Sequence, residues 1–530
     1  MARTRNRWGW GFEDATVSAQ EARAAAPGVG DALGFDLPGD VEDPVPLEAV
    51  RLPAPRLEVP AGLRAWCTAD IAERAAHAYG KSYLDAVRAL RGRYDHAPDV
   101  VARPRDEADV EALLAWAADA GAAVIPYGGG TSVVGGVEAR IPDRFAGAVT
   151  VDLSALDALH EVDDVSRAAR IGAGASGPVL ERRLAEHGLT LRFYPQSFEL
   201  STLGGWIATR AGGHFASGPT HIDDLVESVR AITPTGVWAS RRLPASGAGP
   251  SPDRLLLGSE GILGLITEAW VRVQPRPRHR AGRSVRFASL TAGADGVRAV
   301  LQAGLRPANC RLLDPLEALQ AGAGDGAHAV LVLGFESPED PVDADLQRAL
   351  VHCRAQGGEP EEPRPPAGRG GGDGDAAGAW RSAFLRMPYV RDMLIRLGVL
   401  SDTFETAITW ERFGAFHDTV VGATREALGE PCRVTCRFTH VYPDGPAPYF
   451  TVLAPVHRGD EIARWHEMKR AASDAVLVAG GTITHHHAVG RDHRLWYDAQ
   501  RPDPFAAALR GAKGAVDPAG MLNPGVLLDP

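Results

Sequence analysis

The sequence predicts an α+β protein of two domains, and three observations support this. The chain has 530 residues, more than one domain usually holds. Between about residues 100 and 274, short apolar segments alternate with helix-like segments, which is typical of small α/β units. From about residue 280 onward, strand-like segments such as 329–335 mix with longer amphipathic helices, which indicates a second unit.

Apolar periodicity places the helices and strands along the chain. Val110, Leu113, Leu114 and Ala117 share one helix face, and Gly121 follows the end of that helix. Further strands are expected over 122–127, 148–156, 431–442 and 448–455, and further helices over 177–188, 379–400 and 460–477. Proline inside a helix removes a hydrogen bond, so we expect the helix over 379–400 to bend.

Composition and charge exclude several classes of protein. Apolar residues make up 45% and charged residues 23%, which is typical of a soluble globular chain, and a net charge of -11 argues against a nucleic-acid binder. No run of about 20 apolar residues predicts a membrane span, and the first residues lack the apolar core of a secretory signal. Five cysteines without disulfide or metal spacing favour a reducing cytoplasm. Arginine far outnumbers lysine, a bias typical of bacteria with GC-rich genomes.

A glycine-rich segment directly follows the strand over 122–127. It consists of Pro126, Tyr127, Gly128, Gly129, Gly130, Thr131 and Ser132. Glycines let the backbone approach a ligand closely, and successive N–H groups form a nest for an anion such as a pyrophosphate. The segment is not a Walker A loop, and Val133 stands where a dinucleotide-binding Rossmann turn needs its third glycine. An ordinary glycine-rich turn is the alternative reading.

Two further glycine-containing segments follow the first along the chain. The second covers residues 194–213 and the third covers residues 258–267. The order of the three segments resembles the FAD-binding domain of the vanillyl-alcohol-oxidase and p-cresol-methylhydroxylase family. This resemblance implies a two-domain flavoprotein. Its FAD-binding domain is expected to consist of two small α/β subdomains. Its cap domain, which binds the substrate, is expected to contain an antiparallel sheet and helices. It divides the chain into an N-terminal helical extension (1–95), the FAD-binding domain (96–278), the cap (279–500) and a C-terminal segment that returns toward the FAD domain (501–530).

The same resemblance implies which residues bind FAD. The first loop is expected to wrap the pyrophosphate, and the other two segments are expected to line the ribityl chain and the flavin. Their expected contacts are Gln196, Ser197, Phe198, Glu199, Leu200, Ser201, Thr202, Thr209, Arg210, Ala211, Gly212, Glu260, Gly261, Ile262, Leu263, Gly264, Leu265 and Ile266. The first loop contains neither His nor Cys, so we expect FAD to be held non-covalently.

More specific motifs resemble the ether-lipid branch of the family, the alkyldihydroxyacetonephosphate synthases. The matching stretches are Trp8–Gly11, Arg311–Asp314, Tyr389–Asp392, Cys436–Arg437 followed by Tyr449–Phe450, and Thr484–Gly490. Those enzymes exchange the acyl chain of acyl-dihydroxyacetone phosphate for a fatty alcohol, with the flavin as an electrophile and no net redox change. The resemblance implies a catalytic role for Tyr449, His485, His486 and His487. It implies substrate binding by Arg391 and Arg311.

Residue chemistry is consistent with these roles but leaves alternatives. Arginine suits a phosphate dianion, and a neutral histidine or a tyrosine of lowered pKa can accept a proton. If the histidine run is a strand, His485 and His487 face one way and His486 the other, so either His486 or that pair acts. A His-x-His pair can also bind zinc, but no carboxylate or cysteine cluster is evident nearby, so no metal is predicted. His493 is expected at the surface, and the apolar face of the helix over 379–400 is either core or a lipid tunnel.

Two departures from the synthase pattern keep a second function open. The glycine-rich loop Gly368–Gly378 replaces a segment at the active-site entrance, and the tail around Asn523 is commoner in D-2-hydroxyacid dehydrogenases of the superfamily. The alternative is an FAD-dependent oxidase or dehydrogenase of a 2-hydroxy acid such as D-lactate or glycolate, and a third reading is a related enzyme with a non-lipid substrate. A small-molecule or lipid substrate is expected in each case. Nucleic acid is not expected as a partner, and a homodimer and peripheral membrane contact are left open.

Overall fold

The computed structural model describes residues 3–37, 40–362 and 376–529, with the side chains of 376–385 left out. The strands in these residues form sheets of four, five and seven strands and a two-stranded pair. Helices pack against all three larger sheets, and the α+β prediction is therefore confirmed. Most of the predicted loop Gly368–Gly378 lies outside the described residues.

The N-terminal part contains short helices and one short strand. They are α1 Ala19–Leu33, β1 Cys67–Thr68, α2 Ile71–Ala76 and α3 Tyr83–Leu90. Helix α1 begins at a reciprocal cap, in which the Ser18 hydroxyl accepts the Glu21 N–H at 3.2 Å and Glu21 accepts the Ser18 N–H at 2.8 Å. Every residue of α3 is buried, because this helix packs into the same apolar core as the seven-stranded sheet.

The four-stranded sheet carries the glycine-rich loop at the end of a strand. Its remaining elements are β2 Val100–Ala102, α4 Glu107–Asp119, β3 Ala122–Tyr127 and β4 Gly147–Asp152, in the strand order β1-β2-β4-β3. Strands β2, β4 and β3 run parallel and are almost entirely buried, as parallel strands usually are. The carboxyl end of β3 leads directly into Gly128.

The five-stranded antiparallel sheet has the order β5-β6-β10-β8-β9. This part comprises β5 Leu159–Asp163, β6 Ala168–Gly172, α5 Gly177–Ala185, β7 Leu189–Thr190, α6 Leu203–Thr209, β8 Val226–Thr233, β9 Gly236–Ala239, α7 Pro252–Leu256, β10 Leu265–Arg272 and β11 Gln274–Pro275. Helix α6 lies in the second glycine-containing segment, and its N-terminus is capped by Thr202.

The seven-stranded antiparallel sheet has the order β15-β12-β14-β13-β17-β18-β16. Its part of the chain comprises β12 His279–Phe287, α8 Leu290–Gln302, β13 Asn309–Leu313, α9 Pro315–Gln320, β14 Ala329–Ser337, α10 Asp343–Ala355, β15 Glu359–Pro360, α11 Ala376–Arg396, β16 Val399–Glu405, α12 Phe413–Leu428, β17 Arg433–Val441, β18 Pro446–Pro455, α13 Glu461–Val478, α14 Arg494–Gln500 and α15 Asp503–Val516. Strands β16, β17 and β18 place Glu405, Arg437 and Tyr449 in register.

Both ends of the chain reach the first sheet. The Val124 N–H donates to the Met521 carbonyl at 2.9 Å, and the Asn523 N–H donates to the Val124 carbonyl at 2.8 Å. Near the other end, the Arg5 guanidinium donates to the Gly129 carbonyl at 2.6 Å. Residues from both termini therefore support the loop that follows β3.

Candidate cofactor and substrate site

A cavity of about 720 Å³ lies between the glycine-rich loops and the seven-stranded sheet. The loops line one wall through Gly128–Val133 and Pro195–Ser197, and the sheet lines the other through Arg437, Tyr449 and Thr403. Helix α11 contributes Met387 and Arg391, and the N-terminal segment contributes Trp10. Ligand pockets of several hundred Å³ are typical between domains, so this cavity is the candidate site.

The first loop needs its glycines because it packs directly on the second segment. A Cβ on Gly129 would lie 2.0 Å from the Leu200 carbonyl oxygen, and one on Gly128 would lie 2.4 Å from the Thr202 hydroxyl. Gly130 has a φ of +64°, which favours glycine. A side chain at Gly128 or Gly129 would collide with protein atoms. These glycines are therefore needed for the shape of the loop itself, before any ligand binds.

The backbone of this loop offers donors to the cavity. Among the described residues, none accepts a hydrogen bond from the N–H groups of Gly128, Gly129, Gly130 and Thr131. All four residues line the cavity, and successive N–H groups in such a turn form a nest for phosphate oxygens. The residues present therefore fit the pyrophosphate of FAD.

The second segment divides between the cavity and the protein interior. Gln196, Ser197, Ser201, Thr202, Thr209, Ala211 and Gly212 line the cavity, as does Thr131 with Ser132 of the first loop. Phe198 instead stacks on Trp206 at 6.4 Å between ring centroids, and Glu199 accepts the Tyr389 hydroxyl at 3.2 Å. Leu200 is buried, and Arg210 forms an ion pair with Asp223 at 2.8 Å.

The third segment does not reach the cavity. Glu260, Gly261, Ile262, Leu263, Gly264, Leu265 and Ile266 are absent from its lining, as are Pro126 and Tyr127. Glu260 is buried and accepts the N–H groups of Val489 and Gly490, each at 2.9 Å. The structure thus shows Glu260 fixing the chain just after the histidine run, and contact with FAD stays a prediction for these nine residues.

The histidine run is a loop, so the alternation that a strand would impose on its side chains does not apply. His486 and His487 both line the cavity, whereas His485 does not. A buried carboxylate, Glu405 at the end of β16, explains this arrangement. It accepts the N–H groups of His485 at 2.7 Å, His486 at 3.1 Å and His487 at 2.8 Å. Three consecutive N–H groups directed at one carboxylate are incompatible with an extended strand, whose N–H groups alternate in direction.

The partner carboxylate that was not evident from the sequence is therefore present. Glu405 also lies 3.3 Å from the His486 ring and 3.8 Å from the His487 ring. Burial raises the pKa of Glu405, but His487, His485 and the Thr484 hydroxyl outweigh it and lower the pKa to about 2. Burial lowers the pKa of His486 well below its ordinary value and also lowers the pKa of His487. Both rings are neutral bases near neutral pH.

Tyr449 is a hydrogen-bond donor at rest. Its hydroxyl donates to the Thr403 hydroxyl at 2.9 Å, and the Arg437 guanidinium lies 3.9 Å from the centre of its ring. Burial raises the pKa of Tyr449, and the nearby Arg437 only partly opposes this. Tyr449 therefore lacks the lowered pKa that would let a tyrosine accept a proton, because desolvation of the phenolate is the larger effect.

Arginines line the cavity, and two of them pair with carboxylates, Arg437 with Glu317 and Arg391 with Asp392. Arg311 and Arg437 are buried side chains on adjacent strands, and Arg391 on α11 lines the same space. Burial and the charge of Arg437 lower the pKa of Arg311 to about 10. Arg391 donates to the Lys81 carbonyl and, at 2.9 Å, to Asp392, which in turn accepts the Trp10 N–H. The apolar face of this helix serves both purposes that the sequence left open. Met387 and Leu394 line the cavity, and Leu397 lies in the core.

Two histidines lie in places that the sequence did not predict. His440 on β17, which the motifs did not single out, lines the cavity and donates through Nε2 to the Gly213 carbonyl at 3.1 Å. Ring nitrogens of His440, His485 and His486 lie within 4.8 Å of one another, but a metal would have to displace hydrogen bonds that these rings already make. His493, expected at the surface, is buried, and its Nδ1 lies 2.9 Å from the Ala488 carbonyl oxygen.

Comparisons with known proteins match both parts of the chain that form the cavity. Profiles described as "FAD binding domain" and "FAD linked oxidases, C-terminal domain" match residues 98–240 and 276–527. The chain is a member of the FAD-binding vanillyl-alcohol-oxidase and p-cresol-methylhydroxylase family. An alkyldihydroxyacetonephosphate synthase of Dictyostelium discoideum is 28% identical over 87% of this chain and 78% of its own length. The glycolate oxidase subunit GlcD of Bacillus subtilis is 24% identical over 86% of this chain and 96% of its own length.

Solved structures show the same fold. An alkyldihydroxyacetonephosphate synthase structure has a TM-score of 0.81 and 23% identity, covering 98% of this chain and 97% of its own. A p-cresol methylhydroxylase structure with substrate bound has a TM-score of 0.69 and 14% identity, covering 88% and 94%. Within the family, the chain is an FAD-dependent enzyme of the alkyldihydroxyacetonephosphate-synthase-like type, and its cofactor is FAD. In the described residues, no helix is long and apolar enough to cross a membrane.

Proposed function

We propose that this enzyme exchanges the acyl chain of acyl-dihydroxyacetone phosphate for a long-chain fatty alcohol. In that reaction the alcohol oxygen replaces the acyloxy group at C1 and a fatty acid leaves, so there is no net oxidation. The observation that carries the proposal is the composition of the cavity. Buried arginines and neutral histidines share it with an apolar end formed by Val29, Leu33, Met387, Leu394 and Leu453.

The arginines suit the phosphate group of this substrate. Arg311 and Arg437 are two buried cations, and although Glu317 pairs with Arg437, the charge of Arg437 still lowers the pKa of Arg311, so a dianion beside Arg311 would be stabilised. Arg391 adds a third guanidinium to the cavity, from helix α11. Arginine is suited to phosphate because its planar fork can donate two parallel hydrogen bonds.

The histidines suit removal of a proton from C1 of the substrate. His486 and His487 line the cavity as neutral bases, held in place through their backbone by Glu405. Tyr449 is protonated, so we assign it a hydrogen bond to substrate oxygen rather than the role of first base. When bound, FAD supplies an electron-accepting ring system. The residues proposed to hold it are the cavity-lining members of the first two loops.

We also propose that FAD is bound without a covalent link. The first loop has no His or Cys, and no cysteine of the described chain lines the cavity.

Several features stay predictions. They are the domain boundaries at residues 95, 278 and 500, a homodimer, a cytoplasmic location, peripheral membrane contact and a bacterial origin.

The test is to mix the purified yellow holoenzyme anaerobically with acyl-dihydroxyacetone phosphate and hexadecanol. Mass spectrometry should detect alkyl-dihydroxyacetone phosphate and one fatty acid for each ether formed, while the flavin spectrum returns to the oxidised form. A parallel sample receives D-lactate or glycolate. Stable bleaching by the hydroxy acid, with no ether product from the first sample, contradicts the proposal.

That second outcome would favour a 2-hydroxy-acid oxidase or dehydrogenase. The observation in its favour is the likeness to the glycolate oxidase subunit along most of both chains. In that reaction Arg391 would bind the substrate carboxylate and a cavity histidine would take the hydroxyl proton.

A further inference from the structure

A chain of hydrogen bonds runs from the cavity to the protein surface through His485. His486 lines the cavity, and its Nδ1 lies 3.0 Å from Nδ1 of His485. Nε2 of His485 lies 2.7 Å from the Tyr442 hydroxyl. That hydroxyl lies 2.9 Å from the Thr220 hydroxyl, which lies 3.3 Å from Nδ1 of the half-exposed His221.

One bond at the outer end fixes the direction of all the others. Nε2 of His221 lies 2.9 Å from the His485 carbonyl oxygen, which can only accept, so this nitrogen carries the hydrogen. In a neutral ring Nδ1 of His221 is then an acceptor for the Thr220 hydroxyl. The Thr220 oxygen in turn accepts from Tyr442, and the Tyr442 oxygen accepts from Nε2–H of His485.

The same logic continues inward to the cavity. Since His485 carries its hydrogen on Nε2, its Nδ1 accepts from Nδ1–H of His486. Glu405, 3.3 Å from the same His486 nitrogen, also favours a hydrogen at this position. Nε2 of His486 is then left without a hydrogen, which is the form a proton acceptor requires. Tautomers assigned in this way follow from the whole network rather than from one contact.

Other polar groups near the chain do not divert it. His440 packs beside His485 and His486 at about 5 Å between ring centres, but its Nε2 donates to the Gly213 carbonyl. Trp410 donates to the Tyr442 carbonyl at 3.0 Å and so holds the tyrosine backbone in place. Burial lowers the pKa of both His485 and His486 well below the ordinary value, which keeps the resting chain neutral.

We propose that His486, His485, Tyr442, Thr220 and His221 form a proton relay between the substrate and solvent. This rests on the proposed function, in which a proton leaves C1 of the substrate. Nε2 of His486 takes that proton, and its electron pair is delocalised into the adjacent C2 ketone. His486 passes its Nδ1 hydrogen to His485, His485 passes its Nε2 hydrogen to Tyr442, Tyr442 passes one to Thr220, and Thr220 passes one to His221. His221 is then protonated on both ring nitrogens and releases one proton to water, so one proton enters, one leaves, and the relay is neither oxidised nor reduced.

The relay explains why the outermost histidine of the run lies away from the cavity. His485 cannot touch a ligand there, yet it connects His486 to groups near the surface. Tyr442 and Thr220 are relay residues, because they act through the histidines and do not line the cavity.

The test compares Tyr442→Phe and Thr220→Val holoenzymes with wild type in a weakly buffered solution. Each variant removes one hydroxyl while keeping the shape, and proton-transfer groups typically contribute about 100-fold or more. We expect at least a tenfold loss of turnover and of deuterium uptake at C1 from D2O, by the same principle. Added imidazole should restore much of the rate in both variants, because a small buffer can deliver and remove protons at the gap. A merely structural defect would not respond to imidazole.

Tyr497→Phe and Thr419→Val make the same chemical changes outside the chain and should match wild type at every imidazole concentration. Wild-type rates for Tyr442→Phe and Thr220→Val without imidazole overturn the relay, and so does a loss that imidazole cannot reverse in either variant while the flavin stays bound. Failure of the wild-type enzyme to form the ether product contradicts the proposed function instead.

Discussion

The carboxylate of Glu405 accepts the backbone N–H of His487 at 2.8 Å and lies 3.8 Å from the ring nitrogen Nδ1 of the same residue. One buried side chain therefore fixes both the path of the histidine loop and the electrostatic surroundings of its rings. Because Glu405 lies opposite Tyr449 across β16 and β18, it also ties the loop to the strand that carries the tyrosine.

Glu405→Gln should lower the free energy of unfolding by about 2–3 kcal/mol, since hydrogen bonds to a buried charge are worth about 1.5–3 kcal/mol each. Turnover should fall with it, because His486 and His487 lose their fixed positions. Urea unfolding at neutral pH and steady-state rates measure the two effects.

The same variant should change the pH dependence of stability. The pKa of Glu405 is lowered in the folded state to about 2 from an ordinary 4.5, so ionised Glu405 stabilises the fold above pH 4.5. That contribution is lost as the pH falls toward 2. The difference in unfolding free energy between wild type and Glu405→Gln should therefore shrink over this interval, and a constant difference would contradict the assigned ionised state. Glu411→Gln, on a short turn outside the cavity, is the control.

Arg391→Leu should abolish turnover while the protein stays yellow. Arg391 lines the cavity from α11 but bonds to Lys81 and Asp392, not to the glycine-rich loop. Loss of a guanidinium that binds phosphate should cost at least tenfold in kcat/KM, or about 1.4 kcal/mol or more. The flavin spectrum and turnover should be measured beside Arg348→Leu, an exposed change on α10. Colourless Arg391→Leu protein would show that the residue supports the cofactor instead.

Gly129→Val should yield protein without flavin. A Cβ there would lie 2.0 Å from the Leu200 carbonyl oxygen, so the first two loops must separate and the N–H nest is lost. The matched change Gly511→Val places its Cβ in open space and should leave the protein yellow. The ratio of flavin to protein absorbance measures both, and normal flavin content in Gly129→Val would refute the assignment of this loop.

Tyr449→Phe should slow turnover by about 100-fold or more, the usual contribution of a hydrogen-bonding or acid–base group in a transition state. Only the hydroxyl bonded to Thr403 is removed, and the ring can still pack against Arg437. Flavin content and melting temperature should stay close to wild type. If Tyr449→Phe turns over at nearly the wild-type rate, the Tyr449 hydroxyl has no role in the reaction.

Local patterns in the sequence predicted the backbone better than the site. The strand over 122–127 and the glycine-rich loop after it follow from an apolar run that ends at small residues, and both lie where expected. The strands around Tyr449 were equally visible from their β-branched and aromatic residues. These signals are local, so a single sequence carries them.

The groups that complete the site lie far along the sequence from the motifs that mark it, so no local pattern predicts them. Glu405 precedes the histidines by about 80 residues, and nothing near it marks a buried carboxylate. The alternation that a strand would give the histidines does not arise, because three N–H groups of the run donate to Glu405. The order of strands in the sheet brings His440 to the cavity, and the packing of loops brings Tyr442 to His485. The spacing of these residues along the sequence predicts neither contact.

The N-terminal contacts have a consequence for how the enzyme matures. Trp10 lines the cavity and donates its N–H to Asp392, and Val124 of the first sheet pairs with residues near Leu522. Each of these contacts joins residues that lie hundreds of positions apart in the sequence, Trp10 with Asp392 and Val124 with Leu522. We therefore expect flavin to be taken up only after the segment around Leu522 has been synthesised and has paired with the first sheet, and a chain that stops before Leu522 should stay colourless.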